Sequence, residues 1–135
     1  MFLLDTCVLS EATKLKPSAE VDAWLKQQQS TDLFISAVTL GELRFGIDRM
    51  PRGARRAGLE TWFDETAHQG FPNRIVSFDK DVALLWGTLR SLHPNAAVAD
   101  SQIAATALFH RLQLVTRNMR DFAFPGLSVF NPWQR

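Results

Sequence analysis

Apolar positions along the chain switch between short continuous runs and helical stripes, and each switch marks an element. Phe2-Leu3-Leu4 is a short apolar run stopped by Asp5-Thr6, the pattern of a buried strand whose carboxyl end delivers a carboxylate. Ser18, following Pro17, is placed to cap a helix that turns Val21, Trp24 and Leu25 to one face. Leu33 to Ser36 is a second strand. Thr39 opens a helix running to about Arg49, with Leu40, Leu43 and Ile47 as its buried stripe, before Pro51 and Gly53 interrupt it. A further helix spans about Ala54 to Ala67 and buries Leu59, Trp62 and Phe63. Ile75-Val76 is a short third strand, and Asp79 caps a helix containing Val82, Leu85, Trp86 and Leu89 that breaks at Pro94-Asn95. Val98 to Leu112 is a strongly apolar helix, Gln113 to Thr116 a strand, and Leu127 to Phe130 a last strand before Pro132.

Strands alternating with helices imply a parallel sheet covered on both faces, a three-layer α/β/α fold with four to five strands. In such sheets ligands gather beyond the carboxyl ends of the strands. The 135 residues fit a single domain, 1–135, with no internal repeat or low-complexity segment. At 46% hydrophobic and 21% charged, the chain has enough apolar surface to bury a core. No apolar run approaches the roughly 20 residues of a membrane span. Met1-Phe2-Leu3-Leu4 reaches Asp5 too early for a signal peptide, so a cytoplasmic location is expected. Cys7 is the single cysteine, which excludes an intramolecular disulfide and a cysteine-based zinc site; it reads as a small buried apolar residue.

The candidate chemistry lies in four acids. Asp5 ends the first strand, Glu42 sits one turn into the helix after the second, Asp100 falls in the first turn of the apolar helix, and Asp121 follows the fourth strand by five residues. The βα pattern lets all four meet at one edge of the sheet. Pooled carboxylates raise one another's pKa unless cations offset the repulsion. A hard divalent cation does so, because Mg²⁺ takes oxygen ligands, usually one or two carboxylates plus waters and phosphate oxygens. Paired ions about 3.5–4 Å apart activate water and stabilise the leaving oxygen in phosphodiester cleavage. Taken singly, each acid also has a plainer reading. Asp5 suits a turn or helix cap, Glu42 a solvated helix face, and Asp100 and Asp121 complements to helix N-termini. His68, His93 and His110 fall on helix ends or surfaces without a repeated ligand spacing, so they are read as exposed or capping residues.

The segments Phe2-Leu-Leu-Asp-Thr-Cys-Val-Leu-Ser-Glu11, Ile35-Ser-Ala-Val-Thr-Leu-Gly-Glu-Leu-Arg-Phe-Gly46, Ala99-Asp-Ser-Gln-Ile-Ala-Ala-Thr-Ala-Leu108 and Val115-Thr-Arg-Asn-Met-Arg-Asp-Phe122 resemble PIN domains, and among them VapC-type toxins of the FitB-like branch. The resemblance keeps the motif order and extends to Asn131-Pro-Trp near the end. It implies a metal-dependent endoribonuclease, the toxin of a bacterial toxin–antitoxin pair, restrained by a small cognate antitoxin. The family's acidic positions map onto Asp5, Glu42, Asp100 and Asp121, and its supporting polar residues onto Thr6, Thr116 and Asn118. The implied cofactor is Mg²⁺, with Mn²⁺ as the other candidate. Homodimers are usual in the family; Trp24, Trp62, Trp86 and the phenylalanines suit either an interface or the core. One departure stands out: the position after Asp5-Thr6 is usually asparagine, and here it is Cys7, a change expected to loosen Asp5 or alter metal affinity.

Net charge is +1, but gathering four of the 14 acidic residues in one pocket leaves ten against 15 basic groups elsewhere. Arg44, Arg49, Arg52, Arg55 and Arg56 put five cations within 13 positions, starting two residues beyond Glu42. They suit a rim that guides RNA or contacts a partner, or else a solvated helical face. Two other functions fit a parallel sheet with acids at its edge. A receiver-like signalling module wants an acidic neighbour beside Asp5 and a lysine after a late strand, where this chain has Thr6 and Arg117-Asn118. A non-catalytic scaffold of the same fold would not need all four acids.

Overall fold

The computed structural model describes residues 1–134 and contains a five-stranded sheet in the order β3-β2-β1-β4-β5, every pairing parallel. The strands are β1 (Phe2–Leu4), β2 (Leu33–Ser36), β3 (Ile75–Val76), β4 (Gln113–Val115) and β5 (Val129–Phe130). The helices are α1 (Thr6–Glu11), α2 (Ala19–Gln27), α3 (Ala37–Asp48), α4 (Ala54–Trp62), α5 (Lys80–Leu92) and α6 (Val98–His110). Strand β1 is central because it is apolar on both faces. Leu3 belongs to the core packed under α5 and α6, while its neighbour Leu4 faces the opposite core with Val8, Val21, Ile35, Leu43 and Ile47. Chain direction diverges from β1, to β2 on one side and β4 on the other. That opens a crevice at the carboxyl ends of β1 and β4.

The expected caps form. Ser18 Oγ accepts the Val21 N–H at 3.3 Å, and Asp79 Oδ1 accepts the Val82 N–H at 3.0 Å. Helix α3 starts two residues earlier than the pattern suggests, at Ala37, because Ser36 Oγ caps it through the Val38 N–H. Helix α1 has no counterpart among the expected elements. Its six residues are far below the roughly 12–15 that sustain an isolated helix, so packing of Val8 and Leu9 makes it. The expected single helix from 54 to 67 is instead α4 followed by one wide π turn, Phe63–His68. Phe63 and Ala67, four residues apart, are both buried in the same core. Gly70 closes that turn, since a Cβ there would sit 2.0 Å from the Thr66 carbonyl oxygen.

The tryptophans all pack against the core. Trp24 meets Phe2 edge-on at 5.0 Å and Phe130 at 5.3 Å, and Trp62 and Trp133 lean on the same cluster. Trp86 donates its indole N–H to Ser101 Oγ at 2.9 Å, and Ser101 in turn donates to the Val98 carbonyl at 2.7 Å. This pair ties α5 to the first turn of α6. Ser101 is fully buried, so Ser101→Ala should leave the indole N–H without a partner and cost about 1–3 kcal/mol. Urea denaturation of the two proteins checks the figure; equal midpoints would show that the bond contributes nothing.

Candidate active site

The crevice is built outward from Asp5, which is 5% exposed. Its backbone N–H donates to the Val115 carbonyl at 2.9 Å, which pins the end of β1 to the end of β4. The chain then turns directly into α1 with Asp5 as the cap, Oδ1 accepting the Thr6 N–H at 2.8 Å. The capping role and the site role therefore coincide in one side chain. Oδ2 accepts the Thr116 hydroxyl at 2.7 Å, and Thr116 Oγ1 accepts the Asn118 N–H at 3.1 Å. Of the three polar residues expected to support the acids, Thr6 and Thr116 touch them directly. Asn118 contributes its backbone N–H to Thr116.

The Thr6 hydroxyl donates to Glu42 Oε1 at 2.8 Å and so ties the start of α1 to α3. Glu42 is half-buried. Asp100, also half-buried, projects from the first turn of α6. Asp121 is exposed on a 3₁₀ turn, Met119–Phe122, that buried Phe122 anchors in the core. The side chains share one electrostatic neighbourhood. Burial pushes the Asp100 carboxyl up to about 6, with further upward pressure from the charges of Asp5, Asp121 and Glu42.

Cys7 was read from sequence as an apolar filler, and the structure gives it a polar role. Its thiol donates to Asp5 Oδ2 at 3.6 Å, lies 3.6 Å from Thr116 Oγ1, and accepts the Arg117 N–H at 3.5 Å. Burial and the neighbouring Asp5 charge raise the thiol's pKa, which keeps it protonated as a weak donor. The contact with Asp5 is local, two residues along the chain, whereas those with Thr116 and Arg117 depend on the β1–β4 register.

The donor set tests its own suitability for a metal. All four groups are hard oxygen ligands, which suits Mg²⁺ or Mn²⁺ and disfavours softer ions. Asp5 uses three acceptor positions on Thr6, Thr116 and Cys7, which leaves an Oδ1 lone pair for a cation. Among the described residues no three acidic, histidine or cysteine side chains close around one centre. Mg²⁺ commonly binds through one or two direct carboxylates with water completing its shell.

The arginine cluster divides. Arg44 pairs with Asp48 at 3.2 Å, and Arg56 bridges Asp48 at 3.4 Å and Glu60 at 3.1 Å while donating to the Met50 carbonyl at 3.1 Å. Arg56 thus clasps the end of α3 to α4. Arg49, exposed, lies over the Phe45 ring at 5.5 Å. Arg52 and Arg55 are exposed and make no ion pair among the described residues. Arg55 lines an apolar groove with Leu59 and Trp62 that continues along α1 and α3 to Thr6 and Glu42.

Comparison with known proteins gives a consistent family. The PIN domain matches over residues 2–124. The VapC ribonuclease Y4jK of Sinorhizobium fredii is 35% identical, over 99% of this chain and 99% of that protein. Toxin FitB of Neisseria gonorrhoeae is 36% identical, over 98% of this chain and 99% of that protein. The crystal structure of FitAcB from the same organism superposes with a TM-score of 0.91 at 37% identity, covering 100% of both chains. A DNA-bound VapBC from Salmonella typhimurium, at 23% identity and a TM-score of 0.73 over 97% of each chain, shares the fold.

Proposed function

The chain belongs to the PIN domain family, and on that footing we propose that it is a divalent-metal-dependent endoribonuclease, the toxin of a bacterial toxin–antitoxin pair acting in the cytoplasm. The observation that carries the reading is that half-buried Asp100, its carboxyl already pushed up by burial, also feels the charges of Asp5, Asp121 and Glu42. Like charges placed together at a strand-end crevice create the demand that a divalent cation meets. Bound there, the cation would supply the Lewis acidity and activated water that phosphodiester hydrolysis needs. The chain's own residues do the positioning. Thr116 and Thr6 hold the Asp5 and Glu42 carboxylates in fixed rotamers, so little rearrangement is needed as substrate arrives.

RNA approaches a pocket of its own sign, so rim cations matter. Exposed Arg49, Arg52 and Arg55 suit that role, whereas Arg44 and Arg56 are engaged by carboxylates of α3 and α4. A cognate antitoxin partner is supported by solved relatives that are toxin–antitoxin complexes. Incubating the purified protein with RNA and Mg²⁺ should yield defined cuts that EDTA abolishes and added Mg²⁺ or Mn²⁺ restores. Cleavage undiminished in EDTA would overturn the metal-dependent reading.

A pH signature follows from Asp100. Its folded pKa lies above the ordinary carboxylate value, so its protonated form favours the fold. That contribution is fully present below about pH 4 and is lost as pH rises through about 6. A cation bound at the site would relieve the same repulsion in place of the proton. The rise in melting temperature on adding Mg²⁺ should therefore be larger at pH 7.5 than at pH 5, and the two increments measured by thermal scanning decide it. Equal increments at both values would detach Asp100 from metal binding.

A further inference from the structure

Beside Asp100 and Asp121 lies a cavity of about 580 Å³, bounded by the α5–α6 connection and the Met119–Phe122 turn. Its volume falls within the roughly 300–1,000 Å³ of small-molecule sites. The walls combine three kinds of surface. Pro94, Ala96 and Ala123 are apolar; His93, Asn95 and Arg120 are polar; and Asp100 and Asp121 close the side nearest the acids. The polar members are uncommitted, since the Asn95, His93 and Arg120 side chains make no hydrogen bond or ion pair among the described residues. The His93 ring is nonetheless held in place, packed edge-on against buried Phe124 at 5.1 Å and 83°.

We propose that this cavity seats one nucleoside of the RNA, the one adjoining the phosphodiester at the acids, and that His93 and Asn95 set the base accepted there. The inference rests on the ribonuclease reading and adds to it the element that selects sequence. A base edge carries alternating donors and acceptors, and single-stranded RNA is read by hydrogen bonds to such edges. An amide and an imidazole each supply a donor and an acceptor, which complements that pattern. The apolar residues Pro94, Ala96 and Ala123 offer a surface for a base, and the acidic side places the phosphate at the Asp100–Asp121 end. Arg120 is exposed on the turn beside Asp121 and offers a phosphate contact that reads no sequence.

The test uses Asn95→Ala, where the side chain is exposed and folding is not at risk, alongside His93→Ala and Arg120→Ala. Cleavage ends from a pool of short RNAs with randomised nucleotides are sequenced for each protein. Asn95→Ala and His93→Ala should flatten the base preference at a single position flanking the cut. For the preferred sequence they should raise KM about tenfold with kcat little changed. Arg120→Ala should raise KM for all sequences alike and reduce the salt dependence of binding. An unchanged preference profile and unchanged KM in Asn95→Ala and His93→Ala would overturn the proposal. If the wild type cuts no RNA, the ribonuclease reading falls separately. Titration with the four nucleoside 5′-monophosphates, followed by NMR of the His93 ring and Asn95 amide, then decides the cavity alone. Shifts at those two residues support the nucleoside seat; their absence at millimolar nucleotide overturns it.

Discussion

Asp5→Asn should reduce RNA cleavage about a thousandfold, close to 4 kcal/mol of lost transition-state stabilisation at about 1.36 kcal/mol per tenfold. The change removes charge while keeping shape. Asparagine caps helices as well as aspartate does, so its carbonyl oxygen can still accept the Thr6 N–H that starts α1. Its amide would face Thr116 Oγ1, which can accept from it once the hydroxyl turns. The fold should therefore persist, and the loss should register in kcat and in metal affinity rather than in melting temperature. Single-turnover cleavage with saturating Mg²⁺, paired with a melting curve, separates these effects. A variant that keeps full activity would remove Asp5 from the reaction and, with it, the role given to the crevice. An inactive variant that has also unfolded would instead locate the effect in the cap. In that case Asp100→Asn, whose side chain caps nothing in the structure, carries the comparison.

Ile103→Ala should destabilise the protein by about 2–5 kcal/mol. Ile103 has no exposed surface and packs in the cluster that joins α6 to Leu3, Val82, Leu114 and Phe122. Truncation leaves a cavity that the surrounding side chains fill only in part, because strands and helices approach it from both sides. For a chain of this length the melting temperature should fall on the order of 10 °C. The consequence reaches the site, since Ile103 lies one turn beyond Asp100 on the same helix and Phe122 follows Asp121 in the chain. Calorimetry together with cleavage assays well below the melting point would resolve both parts. A fall of only one or two degrees would mean that α6 is not held by this contact.

Much of the fold was written in local pattern. The apolar run Phe2–Leu4, the caps Ser18 and Asp79 and the stripe of α5 each arise from interactions within a few residues, so chain order alone reveals them. Elements that failed to show in the pattern lack that local signal. Six-residue α1 forms through Val8, Leu9 and the Thr6–Glu42 bond, and the π turn after α4 leaves no mark in the apolar spacing, because Phe63 and Ala67 four residues apart suit an α-helix equally.

The candidate site divides the same way. The order of the motifs nominated Asp5, Glu42, Asp100 and Asp121 without coordinates, although only Asp5 stands directly at a strand end and each acid taken singly also suited a cap or a solvated helix face. Several features appear only when β1 lies beside β4. These are the Thr116 bond to Asp5 and the approach of the Cys7 thiol to Thr116 and the Arg117 N–H. Likewise, charge count could not distinguish clasping Arg56 from exposed Arg55, since the difference lies in whether helix α3 brings Asp48 within reach. Sequence therefore determined which groups were available and where each element began. Tertiary packing decided which of them meet, because hydrogen bonds and charge coupling act over a few ångströms in space and are indifferent to separation along the chain.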